Sequence, residues 1–113
     1  MITRIAAALI RSVAALADPF LTYKQFAHEF GFSESFPLSW ANKNTLDKVA
    51  DLLKANPEVG IDLTFLIRNQ ETGYPSQIDG EPYRPGNRQQ EARAREVAGQ
   101  IIAKYKLRAK NPY

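Results

Sequence analysis

Basic side chains are concentrated in the last thirty residues of the sequence. Eight lysines and arginines stand against two acidic residues there, Glu91 and Glu96, which gives the segment a net charge of +6. The preceding chain carries −3, so that the whole sequence has +3. Because lysine and arginine neutralise phosphates, we predict a nucleic-acid-binding segment. The alternative is a solvated helix face whose basic end complements the helix dipole. The predicted phosphate-binding residues are Arg84, Arg88, Arg93, Arg95, Lys104, Lys106, Arg108 and Lys110.

Few residues are suited to catalysis or metal binding. The sequence has no cysteine and a single histidine, His28, which excludes thiolate chemistry and a zinc site built from His and Cys. Asp79 and Glu81 flank a glycine and are the other candidates for acid–base or metal chemistry. Ordinary turn chemistry and a surface histidine are the competing interpretations. We therefore predict no catalytic residue, no metal and no cofactor, and keep an enzyme as a minor alternative.

The N-terminal segment is a candidate surface for a protein partner. Its apolar residues, among them Ile5 and Leu9, recur at helical spacing, and alanines widen the apolar face. Such a face either pairs with a second copy across a two-fold axis or packs against its own chain. Together with Trp40, these residues form the interface of our alternative function, a protein–protein interaction module or homodimeric adaptor.

Start and stop signals predict the first two helices. The first covers residues 1–18 and ends at Asp18, because Asp18 precedes Pro19 and the residue before a proline is disfavoured in a helix. Thr22 and Gln25 form a T-x-x-Q capping box at the start of the second helix. Gly31 is a natural end for that helix, since glycine adopts the left-handed conformation at little cost.

Further along the chain, a third helix begins at Asn44 or Thr45. Alternating apolar residues then predict a strand over residues 61–68, and residues 69–73 read as a turn. Residues 74–78 are a candidate returning strand at an edge, because they include a proline.

The final helix is predicted over residues 87–108. Asn87 with Gln90 repeats the capping pattern, and small and apolar residues from Ala94 to Ile101 follow helical spacing. Most of the late basic residues lie on this helix.

The order of three helices, a hairpin and a last helix predicts an α+β, mostly helical single domain over residues 1–113. It is the order of many winged-helix domains, so we expect a winged-helix-like core over residues 22–78. In that fold the wing offers Arg68 to a nucleic acid, and the third helix offers Lys48. Asp47 and Asp51 on the same helix disfavour ordinary duplex binding there.

Two stretches carry a resemblance. Thr22-Tyr23-x-x-x-Ala27-x-x-x-Gly31 resembles the opening of the winged-helix domain in O6-alkylguanine transferases and alkyltransferase-like proteins. Residues 61–80 fall where that family has its Pro-Cys-His segment, which is missing here, so alkyl transfer is not implied. The layout also resembles small uncharacterised bacterial proteins, some of them on mobile elements. The resemblance implies a winged-helix-like fold and little about function.

The N-terminus also bears on localisation. Its basic start and Ala-Leu-Ala ending imitate a secretion signal, but Arg11 and Ser12 interrupt the apolar run. No apolar run approaches the roughly 18 residues that span a bilayer. We expect a cytoplasmic protein without a membrane partner, and a targeting role for residues 1–18 is the alternative.

Overall fold

The computed structural model describes residues 1–33 and 45–113. Within them lie four α-helices, one 3₁₀ helix and two small sheets. The helices are α1 (Ile2–Ala15), α2 (Tyr23–Glu29), α3 (Thr45–Ala55), the 3₁₀ helix (Leu63–Leu66) and α4 (Arg88–Tyr105). The strands are β1 (Leu21–Thr22), β2 (Ile67–Arg68), β3 (Gln77–Ile78) and β4 (Glu81–Pro82). The radius of gyration, 12.7 Å, is that of one compact domain, which confirms a single domain of mixed helix and strand content.

The 3₁₀ helix lies at the centre of the core. Leu63, Phe65 and Leu66 are at most 1% exposed, and α1, α3 and α4 all pack against this segment. Its start is fixed by Asp62, whose Oδ1 accepts from the Thr64 backbone N–H at 2.9 Å. The central element is therefore a short helical turn that is enclosed by helices.

The strand predicted over residues 61–68 is wrong for most of its length. Only Ile67–Arg68 is a strand, and the four residues before it are all buried. Alternation of apolar and polar residues predicts a strand with one exposed face. This segment is covered on every side, so its alternation does not mark an exposed face. The capping carboxylate of Asp62 also offers the backbone a hydrogen bond that a sheet does not use.

The strand pairing differs from the predicted hairpin as well. β2 pairs in parallel with β1, so that Leu21 lies opposite Ile67. The antiparallel hairpin is β3–β4, and its turn is Asp79-Gly80 with φ of 53° and 84°. Positive φ at both central residues matches the tight turn that Asp-Gly favours in hairpins. The turn over residues 69–73 is confirmed, because the Gly73 N–H donates to the Asn69 carbonyl at 2.8 Å.

The predicted boundaries of α2 are confirmed. The Gln25 N–H donates to Thr22 Oγ1 at 3.2 Å, and the Thr22 N–H donates to Gln25 Oε1 at 3.0 Å. After the helix, Gly31 has φ of +74°, and the Phe32 N–H donates to the Ala27 carbonyl at 2.8 Å. This is the hydrogen bond of a Schellman ending.

Helix α1 packs against α3, and it ends at Ala15 rather than at residue 18. Ile5 and Leu9 point into the core and are both 0% exposed. The prediction that these two side chains form a partner interface is therefore wrong for the folded chain. In residues 1–33 and 45–113, no helix combines the length and the apolarity that crossing a membrane requires.

Candidate nucleic-acid interface

Helix α4 carries the predicted interface, and its start is tied to the chain before it. Asn87 Oδ1 accepts from the Gln90 N–H at 3.1 Å, as the capping pattern predicts. The Gln90 side chain does not reach back to Asn87. Its Oε1 accepts from the Arg84 N–H at 2.8 Å and its Nε2 donates to the Pro82 carbonyl at 2.9 Å. The segment between the hairpin and α4 is thereby held in place.

At its other end, α4 reverses direction through Lys106, which is left-handed with φ of +51°. The Leu107 N–H donates to the Ile102 carbonyl at 3.0 Å, and the Lys106 N–H donates to the Ala103 carbonyl at 3.4 Å. Both bonds belong to a Schellman ending, in which the left-handed position is usually glycine. The chain after Lys106 is thus sent back along the helix.

Two side chains fasten the returning segment, residues 107–113. Asn111 Nδ2 donates to the Arg95 carbonyl at 2.9 Å, which places this residue beside the middle of α4. The Tyr113 hydroxyl donates to the Phe65 carbonyl at 2.5 Å, and its ring stacks on Tyr74 at 5.5 Å. Burial is the main cause that raises the pKa of Tyr113 far above its usual range. The basic tail is therefore docked on the domain.

This docking brings four of the predicted cations to one side of α4. Arg88 and Arg95 are seven residues apart, about two helical turns, and so share a side of the helix. Arg108 and Lys110 belong to the segment that Asn111 holds against that same side. All four side chains are exposed, and none of them forms an ion pair with another described residue. We call these four residues the basic flank.

Two other predicted cations lie on the opposite side of α4. Arg93 is two residues, about 200°, away from Arg95 around the helix. Its guanidinium is 2.9 Å from Asp79 Oδ2 and 2.9 Å from Glu96 Oε1. Lys104 is eleven residues, about three turns, from Arg93 and shares its side. These two residues do not join the basic flank.

The remaining predicted residues have separate places. Arg68 is half-buried, and its Nη1 donates to the Phe20 carbonyl at 2.7 Å, so it ties β2 to the chain before β1. Arg84 is exposed in the segment before α4, and Lys106 is exposed at the turn after it. Trp40 lies outside the described residues.

A column of aromatic rings lies beside the basic flank. The Phe20 ring meets Tyr113 edge-on at 6.4 Å, Tyr113 stacks on Tyr74 at 5.5 Å, and Tyr74 stacks on Tyr83 at 4.9 Å. The Tyr83 hydroxyl donates to Glu91 Oε2 at 2.6 Å. Loss of solvation, followed by the hydrogen bond and charge of Glu91, raises the pKa of Tyr83 to about 12. The Tyr83 hydroxyl therefore stays neutral at physiological pH.

An acidic cavity of about 320 Å³ lies on the other side of the domain, between α2, α3 and the β3–β4 turn. Tyr23, Gln77 and Lys54 are among its lining residues. Gln77 Oε1 is buried and has no hydrogen-bond partner among the described residues. The carboxylates that line the cavity are Asp47, Asp51, Asp62 and Asp79.

The chemistry of this cavity is limited. Burial raises the pKa of Asp62, although its hydrogen bonds with Thr64 oppose the shift. Among the described residues, no group of three His, Asp or Glu side chains is arranged to hold a metal ion. His28 is exposed on α2 and does not line the cavity, so the structure does not bring it together with Asp79. The cavity repels phosphate and is not part of the candidate interface.

Sequence reasoning found the basic residues but missed the two features that organise them. The first is the aromatic column, whose members come from four separate places in the chain. The second is the left-handed Lys106, for which the sequence carries no signal because lysine is not the usual residue there.

No protein-family model, curated protein or solved structure matches this chain.

Proposed function

We propose that this protein is a non-enzymatic nucleic-acid-binding module, and that the basic flank is its contact surface. One observation carries the proposal: four exposed cations from α4 and its returning tail share one side of the domain without a carboxylate partner among the described residues. Unpaired surface cations are free to replace the counterions of a phosphate backbone. The charge of the segment then acts through a defined surface.

The winged-helix-like arrangement belongs to the same proposal. It is supported by helices followed by an antiparallel hairpin, β3–β4, which takes the place of the wing. That hairpin carries Asp79 and Glu81 and no basic residue, and Asp47 and Asp51 on α3 line the acidic cavity. Contact through the wing and the third helix is therefore disfavoured, and α4 is the contacting element. We propose a cytoplasmic location for the module, and a sequence without cysteine is consistent with such a reducing compartment.

The direct test measures the affinity of the protein for labelled single-stranded and double-stranded DNA and RNA by fluorescence anisotropy. The salt concentration is varied between about 50 and 200 mM. If the four cations each contact a phosphate of a single strand, the logarithm of affinity falls with the logarithm of salt with a slope of about −2.8. The double variant R95Q/K110Q halves the slope and weakens binding about 20-fold at 0.1 M salt.

A matched control separates a surface from bulk charge. The variant K48Q/K104Q also removes two positive charges, but from exposed residues outside the basic flank. It is expected to retain nearly the full slope and affinity. Equal losses in the two variants, or no binding of the unaltered protein to any of these nucleic acids at 50 mM salt, would overturn the proposal.

A homo-oligomeric adaptor is the second candidate, and a different surface of α1 favours it. The large apolar side chains that are exposed in the described residues are Met1, Ile10 and Leu52. Ile10 and Leu52 line the same open groove between α1 and α3. This groove replaces the buried Ile5 and Leu9 as the apolar surface that a second copy would cover.

Sedimentation velocity tests this second candidate at protein concentrations from about 1 to 100 μM. The adaptor function predicts a dimer that the variant L52E converts to a monomer. The variant K104E, on the exposed surface of α4 and away from the groove, is the control and keeps the dimer. A wild-type protein that remains monomeric over the whole range excludes this function.

A further inference from the structure

The aromatic column has one closed end and one open end. At the closed end, Phe20 is 2% exposed and meets Tyr113 edge-on. At the other end, Tyr83 is only partly buried and stacks on Tyr74 by one face. Tyr83 has no other ring contact among the described residues. The column therefore ends on an aromatic ring that is partly exposed and stacks on only one other ring of the described residues.

The open end of the column lies next to the basic flank. The Tyr83 hydroxyl binds Glu91, which is three residues after Arg88 and four residues before Arg95 on α4. Residues at these spacings are neighbours on a helix surface. Arg84, directly after Tyr83 in the chain, is also exposed. An aromatic ring and several cations therefore share one side of α4, together with the Glu91 carboxylate that binds the ring's hydroxyl.

Tyr83 is also held in place before any ligand arrives. Its backbone N–H donates to the Ser76 carbonyl at 2.9 Å, its hydroxyl binds Glu91 at 2.6 Å, and its ring rests on Tyr74. The next N–H, that of Arg84, is bound by Gln90. A ring that is already ordered loses little conformational freedom when a ligand stacks on it.

From this juxtaposition we propose that Tyr83 is a stacking platform for a base of a single-stranded nucleic acid whose phosphates lie on the basic flank. The inference rests on the proposed function and names its substrate class. Aromatic side chains bind unpaired bases through their faces, whereas the bases of a duplex are already stacked on one another. The same surface binds a duplex through its phosphates alone, and so more weakly.

The test compares three probes of equal length: a labelled single strand, the corresponding duplex, and a strand of the same charge that lacks bases. Stacking of one base contributes about 1–3 kcal/mol. The wild-type protein is therefore expected to bind the single strand about 5- to 150-fold more tightly than the abasic strand. Because this comparison uses the unaltered protein, it does not depend on the stability of any variant.

Two variants assign the effect to the ring. Tyr83→Leu is expected to remove the preference for the strand with bases and to leave the salt slope unchanged. Tyr83→Phe keeps the ring, loses only the hydrogen bond to Glu91 and retains the preference. Circular dichroism confirms the fold of both variants.

The outcomes separate the two proposals. Equal affinity for the strand with bases and the abasic strand overturns the stacking platform, while salt-dependent binding of both still supports the nucleic-acid function. A preference that persists in Tyr83→Leu places the stacking elsewhere and also overturns it. Absence of binding to all three probes overturns the nucleic-acid function itself.

Discussion

The two sides of α4 have opposite surroundings. On one side, Arg88 and Arg95 face solvent, and the returning tail adds two more cations. On the other, Arg93 is paired with Asp79 at the rim of a cavity that four aspartates line. The sequence of this helix alone shows a basic segment. The difference between its sides shows that tertiary contacts pair some cations of a basic segment and leave others exposed and unpaired, and the proposed binding surface depends on the unpaired ones.

The largest expected effect concerns the tail that completes the basic flank. Tyr113→Ala removes a stacked ring and a hydrogen bond to Phe65, so we expect the free energy of unfolding to fall by about 3 kcal/mol. Releasing the tail also separates Lys110 from Arg95, which lowers nucleic-acid affinity without altering the acidic cavity. Urea unfolding and anisotropy measure the two effects.

Tyr113→Phe is the control for that change. It keeps the ring and loses only the hydroxyl bond, at a cost of about 1 kcal/mol. If Tyr113→Ala unfolds at the same urea concentration as the wild type, the tail is not docked as described.

The acidic side is tested at Asp62. Because burial raises the pKa of this carboxyl, the folded state favours its protonated form. Its contribution to stability is complete below the unfolded pKa, near 3.9, and is lost as the pH rises through the folded pKa. Asp62→Asn keeps an acceptor for Thr64 and removes the charge. Its stability relative to the wild type is therefore expected to be higher at pH 7 than at pH 4.

Asp62→Ala provides the comparison, since it removes the acceptor as well. Loss of this cap costs about 1 kcal/mol. Urea unfolding at both pH values distinguishes the variants, and equal destabilisation by Asn and Ala at pH 7 would contradict the role given to burial.

A substitution at Lys106, in the turn that reverses the chain after α4, is expected to increase stability rather than to lower it. Lys106 has φ of +51°, a conformation that costs a residue with a Cβ about 1 kcal/mol. Lys106→Gly is therefore expected to raise the unfolding free energy by up to that amount, as measured by thermal and urea unfolding.

Lys104→Gly makes the same chemical change two residues earlier, inside the helix, and should instead lower stability by about 1 kcal/mol. Destabilisation by both substitutions would show that Lys106 is not left-handed in solution.

The smallest effect compares the two sides of α4 directly. Arg93→Gln breaks the exposed ion pairs with Asp79 and Glu96, which contribute about 0.5 kcal/mol. It leaves nucleic-acid affinity nearly unchanged, whereas Arg95→Gln weakens affinity and leaves stability unchanged. If Arg93→Gln weakens binding as much as Arg95→Gln, the two sides do not differ in function.

Local signals in the sequence predicted local structure. Thr22 with Gln25 and Asn87 with Gln90 begin helices because each pair makes its bonds within one turn. The Asp79-Gly80 pair is also a local signal for the β3–β4 hairpin. The two prolines that follow it, Pro82 and Pro85, instead make residues 79–86 look like a loop in the sequence. The strand over residues 61–68 failed because apolar alternation does not distinguish a strand from a fully enclosed 3₁₀ helix.

By itself, the sequence determined the helix starts, the single mixed domain and the basic character of residues 84–113, since these depend on neighbouring residues and composition. Only the tertiary structure decided which cations act together. The bond from Asn111 to Arg95 and the pairing of Arg93 with Asp79 join residues that are distant in the chain. Such contacts arise from packing of the whole domain, which no local pattern encodes.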